Sequence, residues 1–295
     1  MGKIQERLNQ KKILLSDGAW GTFLFQKGLE AGDCPELWNA EHPDDVLDIA
    51  KSYVKAGADI ILTNSFGGNP HKLKHYGLEE RAFELNFKAA EISRQAAGGQ
   101  CLVLGSMGPS GAILMMGEVS PEELYQGFLI QAEALAKGGV DAICVETMSA
   151  LDEAELAVKA AKEASGLEVV CTFTFEKGAS GQYNTMMGVT PLQMTQAMIA
   201  CGADIIGTNC GNGFDQMVDI VKKIREANQS IPVLAHANAG LPKMVNGETV
   251  FPETAEIMAS KVHKMLQAGA NIIGGCCGTT PEHIRLMAAE IAKYT

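Results

Sequence analysis

The chain has 295 residues, with 24 Lys and Arg against 35 Asp and Glu, a formal net charge of -11. That balance argues against a surface built for nucleic acid or an anionic membrane and points to small-molecule chemistry. With 46% apolar and 20% charged residues the sequence is that of a soluble globular protein, and no run approaches the roughly 18 apolar residues of a membrane span. The opening Met1-Gly2-Lys3-Ile4-Gln5-Glu6 lacks the apolar stretch of a secretion signal and the Ser or Thr that a myristoylation motif wants at position 6. A cytoplasmic location is therefore expected.

A first buried strand is expected over residues 13–16, followed by the phrase Ala56-Gly57-Ala58-Asp59-Ile60-Ile61. Variants of that phrase recur at Gly138-Gly139-Val140-Asp141-Ala142-Ile143, Cys201-Gly202-Ala203-Asp204-Ile205-Ile206 and Ala268-Gly269-Ala270-Asn271-Ile272-Ile273. Each reads as a helix stop and then a strand: the glycine suits a left-handed helix C-cap, and the apolar run suits a parallel strand buried on both faces. The phrases lie 63 to 82 residues apart, about twice a βα unit, so one further strand belongs between each pair. Those strands are read at 101–106, 168–175 and 231–236, which makes eight. Helical patterns separate them at 82–97, 121–137, 151–164, 191–200, 214–227, 252–267 and 281–293, four of them opening on Pro, which a first turn tolerates. No linker or low-complexity tract marks a boundary, so residues 1–295 are expected to form one domain. Eight βα repeats predict an α/β fold of the closed (β/α)8 TIM-barrel type; a doubly wound sheet usually has fewer strands and a nucleotide fingerprint.

In such a barrel the strand C-termini gather at one rim, and that rim is where chemistry is expected. Eight cysteines without a secretion signal should be reduced. Cys101, Cys144, Cys171 and Cys201 sit among aliphatic residues and read as packing, while Cys34, beside Pro35, reads as a loop residue without a visible partner. Cys210, Cys276 and Cys277 lie instead in glycine-rich strand ends. The ends of strands six and eight are about 10 Å apart at roughly 4.8 Å per strand. Gly274, Gly275 and Gly278 permit the bend that two adjacent cysteines need to reach one point. Three thiolates with an open fourth position are the pattern of a catalytic zinc. A strained vicinal disulfide and a pair of buried thiols are the competing readings.

Two carboxylates also fall at strand ends. Asp17 reads equally as a loop hydrogen bonder or a binding residue. Glu146 ends the apolar run Ala142-Ile143-Cys144-Val145, where burial calls for a cationic partner such as a substrate ammonium. The run Gly207-Thr208-Asn209-Cys210-Gly211-Asn212-Gly213 has the glycines of a phosphate cradle but neither the Walker lysine nor the dinucleotide spacing. His236, at the end of strand seven, reads either as a hydrogen-bonded scaffold residue, which the three better thiols favour, or as a ligand. Met115-Met116 and Met186-Met187 read as packing, or, if exposed at the rim, as contacts for a large apolar cofactor or partner.

Taken together, these residues resemble the homocysteine S-methyltransferase family over nearly the whole chain. The likeness is carried by Asp17-Gly18 with Gly21-Thr22, the Gly57 to Phe66 run, Gly105-Ser106 with Gly108-Pro109, Glu146-Thr147, Asn209-Cys210, Asn238-Ala239-Gly240-Leu241-Pro242, and Gly274-Gly275-Cys276-Cys277-Gly278-Thr279-Thr280-Pro281 with His283-Ile284. The Asn238 to Pro242 element is most similar to the N-terminal homocysteine-binding module of cobalamin-dependent methionine synthase. The resemblance implies that Cys210, Cys276 and Cys277 bind Zn2+ and that the homocysteine thiol takes the open position. It also implies that Asp17, Gly18 and Glu146 hold the amino-acid end, and that Asn238 is a weak ligand or near neighbour of the metal.

Three departures stand out: Trp20 where relatives often carry a smaller residue, Ala237 where a proline is frequent, and a chain that stops at Thr295 after one barrel. The last implies that the folate-binding, cobalamin-binding and activation modules are absent and that the methyl group arrives from another molecule. The expected activity is zinc-dependent methylation of homocysteine to methionine, with methylcobalamin supplied by a separate corrinoid protein. The alternatives are S-methylmethionine or another small donor, a different thiol acceptor, and a thiol- or zinc-binding protein without turnover.

Overall fold

The computed structural model describes residues 2–245 and 248–294. Eight parallel strands form one sheet: β1 (Leu14–Leu15), β2 (Ile60–Leu62), β3 (Leu102–Met107), β4 (Ala142–Met148), β5 (Glu168–Phe173), β6 (Ile205–Asn209), β7 (Val233–Ala237) and β8 (Ile272–Gly275). From β2 to β8 each strand pairs with its successor, and β8 pairs with β1 through Leu14↔Ile272 and Leu15↔Ile273. One parallel bridge, Ser16 to Ile60, joins β1 to β2 and all but closes the ring. The expected barrel is therefore present, although β1 is shorter than read and β5 ends at Phe173. Around it run α1 (Lys3–Lys11), α2 (Pro43–Lys55), α3 (Ala82–Ala97), α4 (Pro121–Lys137), α5 (Leu151–Ser165), α6 (Pro191–Cys201), α7 (Phe214–Ala227), α8 (Ala255–Ser260), α9 (Val262–Ala268) and α10 (Pro281–Ile291).

Sequence alternation divides the core in two. Leu14, Ile60, Leu62, Leu102, Leu104, Val170, Ile205, Leu234 and Ile272 pack with one another inside the barrel. Their strand neighbours Leu15, Ile61, Val103, Val169, Ile206, Val233 and Ile273 pack outward against the helices. Period-two alternation with both faces apolar is what a covered parallel sheet requires. Ile4 of α1 is fully buried in the inner cluster, so this helix seals the end of the barrel away from the strand C-termini. Glu168, which opens β5, accepts the Ile4 N–H at 2.7 Å and the Gln5 N–H at 3.1 Å, satisfying donors that an α-helix N-terminus leaves open.

The four repeated phrases do more than stop helices. Gly57, Gly139, Gly202 and Gly269 all have φ between 92° and 103°, the left-handed cap expected of them. The acidic or amide residue two positions on is a latch to the preceding strand. Asp59 accepts the Leu15 N–H at 3.0 Å, Asp141 that of Val103 at 2.8 Å, Asp204 that of Val169 at 2.7 Å and Asn271 that of Val233 at 3.0 Å. Each latch also receives a cationic side chain: Lys11 on Asp59, Lys3 and Arg94 on Asp141, Lys162 on Asp204, Arg225 on Asn271.

Three expectations need correction. The helix expected over 252–267 begins only at Ala255, where Thr254 caps it, and it breaks at Lys261 into α8 and α9; Pro252 lies in the preceding loop against Gly240. Pro43, not anticipated, opens α2. Cys34 is buried beside Leu73 and Leu85 and its thiol donates to Glu36 at 3.4 Å, a partner that its place beside Pro35 did not show. Among the described residues no helix is long and apolar enough to cross a membrane.

Candidate functional site

Backbone geometry at two strand ends brings Cys210, Cys276 and Cys277 together. After β6, Cys210 adopts φ 59°, a left-handed conformation rare for a residue with a Cβ. It is held there by its own N–H on His236 O at 3.1 Å and by the Asn212 N–H on Cys210 O at 2.8 Å. Two of the amides in the 207–213 run are thus spent within the fold, and the turn aims the Cys210 thiol toward Cys277. After β8, the Cys276 N–H bonds Ala237 O at 2.8 Å and the Ala239 N–H bonds Cys277 O at 3.0 Å. The Thr279 hydroxyl folds back onto Cys276 O at 2.7 Å. Gly278, at φ 80°, completes the bend, and any Cβ there would collide with Phe251.

The three Sγ atoms lie within 4.8 Å of one another, with Cys210 and Cys277 at 3.9 Å. Sulfurs on two corners of a tetrahedral zinc with bonds of about 2.3 Å are about 3.8 Å apart, whereas a disulfide needs about 2.05 Å. All eight cysteines are free thiols, so the vicinal-disulfide reading is not realised. Hydrogen bonds from Cys276 and Cys277 pull Cys210 down to about 3, while the bond to Cys210 and burial hold Cys277 up at about 12 and Cys276 well above the ordinary thiol range. Only a cation allows all three to be thiolates. Asn238 stands beside them, hydrogen-bonded to Cys210, with its Oδ1 buried and without a hydrogen-bond partner among the described residues. Three sulfurs and one orphaned amide oxygen fit a zinc ion.

A cavity of about 340 Å3 opens from these thiols across the barrel mouth, lined by Asp17, Gly18, Trp20, Ser106, Glu146 and Asn209 among others. Asp17 is buried; its Oδ2 accepts the Leu62 N–H at 2.8 Å and the Trp20 indole N–H at 2.9 Å, yet desolvation still pushes its pKa up to about 7. The departure at Trp20 is therefore a partner of Asp17. Glu146 accepts the Ser106 hydroxyl on Oε1 and the Asn209 amide on Oε2 at 3.3 Å. Burial, with Asp17 and Cys210 nearby, raises it to about 7 as well. No Lys or Arg lines this cavity among the described residues. Its walls are short of positive charge at the thiols and again at the carboxylates.

His236 also faces the cavity, kept neutral by burial that lowers its pKa to about 4, and its Nε2 has no partner among the described residues. Met115, Met116 and Met186 are largely exposed instead of packed. Met115, Met186 and Met187 line a second cavity, of about 370 Å3, that shares Thr147 with the first. Sequence reading gave no role to Ser106, Asn209, Thr279 or Glu36. The first three stand inside the quoted motifs, but no chemistry had been attached to them; Glu36, whose carboxylate takes the Gly67 N–H at 2.6 Å on the cavity wall, had no signal beyond its position after Pro35.

Curated relatives include the methionine synthases of Mycobacterium tuberculosis, 31% identical, and Mycobacterium leprae, 30% identical, each aligned over 96% of this chain. The chain spans about a quarter of the length of those proteins. Among solved structures, the metallated, oxidised and apo forms of the homocysteine methyltransferase MmuM from Escherichia coli match it with TM-scores of 0.80, 0.77 and 0.75. These are 23% to 25% identical and cover 96% or 97% of this chain and 97% to 99% of theirs, a likeness that supports the barrel. The sequence profile of the homocysteine S-methyltransferase family matches residues 14–291, and the chain belongs to that family.

Proposed function

We propose that this protein is a zinc-dependent S-methyltransferase, working as one domain over residues 1–295, that methylates homocysteine to methionine. The observation that carries the reading is a single cavity with three converging thiols at one end and two buried carboxylates, without a cation, at the other. Cys210, Cys276 and Cys277 would hold the metal, with Asn238 as a weak ligand or near neighbour. Zinc, when bound, supplies the positive charge that keeps the homocysteine sulfur deprotonated near neutral pH. Glu146 takes the substrate ammonium, and Asp17 with the Gly18 backbone holds the rest of the amino-acid end. The sulfur lone pair forms the new S–CH3 bond as the donor–CH3 bond breaks and leaves its electron pair on the donor; the thiol proton is released to solvent.

The donor in this proposal is a methylated corrinoid protein. Support comes from the Asn238 to Pro242 element, which resembles that of the cobalamin-dependent enzymes, and from an exposed methionine rim open to a large partner. The site works in a reducing compartment, as three ligating thiols demand, which favours the cytoplasm. The test is a donor panel with zinc-loaded protein and homocysteine: methylcobalamin, a methylated corrinoid protein, S-methylmethionine, S-adenosylmethionine and betaine, scored by methionine formed. Turnover with the corrinoid protein is expected. Turnover with S-methylmethionine alone would replace the donor, and no methionine with any donor would remove the activity.

A further inference from the structure

Asn209 ends β6, one residue before Cys210, and is almost fully buried. Its side chain spans β5 to reach the end of β4. Oδ1 accepts the Thr147 N–H at 2.9 Å and the Thr172 hydroxyl at 2.7 Å, while Nδ2 donates to Thr147 Oγ1 at 2.7 Å and to Glu146 Oε2 at 3.3 Å. The amide has one usable orientation, because reversing it would set an NH2 group against the Thr147 N–H. Its NH2 end therefore faces Glu146. The residues it ties together are unusual in their backbone: Thr147 at φ 62° and Cys210 at φ 59° are two of the three described non-glycine residues with positive φ. The third, Lys12, follows α1 at the sealed end of the barrel. Such conformations persist where the surroundings hold them, and they concentrate at functional sites.

We infer that Asn209 is a positioning residue that determines specificity: it locks the carboxylate of Glu146 to the strand end that carries Cys210, and so sets the separation of amine and sulfur that an acceptor must span. This rests on the homocysteine reading above. A carboxylate has about four lone-pair sites. Ser106 and Asn209 take one on each oxygen, which fixes the plane of the group and leaves two sites for an ammonium. Homocysteine is one methylene longer than cysteine between amine and sulfur. A rigid spacing distinguishes the two; a loose one accommodates both. The Thr172 hydroxyl pins the amide from β5 and does not line the cavity.

Three variants test this in zinc-loaded protein: Asn209→Asp, which keeps the shape but turns an acceptor toward Glu146, Thr172→Val, which removes the pinning hydroxyl, and Thr172→Ser, which restores it. Calorimetry reads the binding of homocysteine, cysteine and mercaptoethanol, and zinc content is measured alongside. Asn209→Asp should weaken homocysteine about tenfold or more, in line with the loss of a hydrogen bond to a charged group. Mercaptoethanol affinity and zinc content should stay unchanged, and the homocysteine preference over cysteine should shrink. Thr172→Val should show the same pattern at roughly three- to tenfold, the size of one neutral hydrogen bond, and Thr172→Ser should match the parent. Equal weakening of all three thiols, or loss of zinc, would make Asn209 a general strut and overturn the inference; if Asn209→Asp does not fold, the Thr172 pair decides. Glu146→Gln separates the two claims. Should it leave the preference for homocysteine over mercaptoethanol intact, the homocysteine reading itself fails; should it abolish that preference while Asn209→Asp does not, only the role of Asn209 fails.

Discussion

Replacing Glu146 with Gln removes one negative charge and leaves the length of the side chain in place. Burial raises this carboxyl from 4.5 to about 7, against the opposing hydrogen bond from Ser106. A carboxyl whose folded pKa lies above its unfolded value contributes most below about pH 4.5, and that contribution is lost as pH rises through 7. At roughly 1.4 kcal/mol per unit, the folded protein has lost about 3 kcal/mol by pH 8. Gln escapes that loss. Its NH2 must face either the Ser106 hydroxyl or the Asn209 amide, and the poorer pairing costs about 1–2 kcal/mol. The net gain of about 1–2 kcal/mol raises Tm by on the order of 2–5 °C at pH 8. At pH 5 the parent carboxyl is already neutral, and the variant should melt at or below the parent. Binding moves the other way: losing a charge-assisted bond to the homocysteine ammonium, roughly 1.5–3 kcal/mol, weakens it about tenfold or more, while mercaptoethanol loses little. Thermal melts at pH 5 and 8, with calorimetry on both thiols, check all four numbers. A variant that melts below the parent at pH 8, or that weakens both thiols equally, refutes the reasoning, because it would show Glu146 to be structural.

Cys210→Ala, Cys276→Ala and Cys277→Ala should each lower zinc retention against a fixed chelator concentration, since two sulfurs remain where three were. Cys101→Ala, buried among aliphatic residues, should bind zinc like the parent. Homocysteine binding should release about one proton near neutral pH. Heats that do not vary with the ionisation enthalpy of the buffer would place its thiol away from the metal. Ile4→Ala, which empties the seal beneath the barrel, should cost about 2–5 kcal/mol in denaturant unfolding while sparing zinc content; a cost near zero would mean that α1 is not part of the inner core.

The barrel was legible because its signals are local. A glycine that must take positive φ and an apolar run that must be buried stand side by side in each of the four phrases, and both roles hold. The latch role of Asp59, Asp141, Asp204 and Asn271 was not legible, because the partner is a backbone N–H about forty residues earlier and a backbone amide leaves no mark in the sequence. The same distinction holds at the site. Three cysteines in glycine-rich strand ends, and a glutamate closing an apolar run, violate packing rules visibly and so announce chemistry. Asn209 violates nothing, since a polar residue at a strand end is ordinary; its importance lies in four hydrogen bonds made across β5. The methionines read as packing or as an exposed rim, because composition does not say which way a loop turns them; Met115 and Met186 turn outward.

Charge supplies the link between the halves of the cavity. Mutual hydrogen bonds pull the Cys210 thiol down and hold Cys276 and Cys277 up, and Asp17 and Glu146 are both displaced to about 7 because burial outweighs their hydrogen bonds. A metal at the thiols answers the first deficit and leaves the second. A substrate that brings only a thiol also leaves the second, whereas one that brings a thiol at one end and an ammonium at the other answers it while filling the open metal position. On the proposed function, the ligand is one that answers two deficits of the same sign within one cavity. The spacing of two such linked groups is also what the Asn209 bridge, by tying one deficit to the other, would measure.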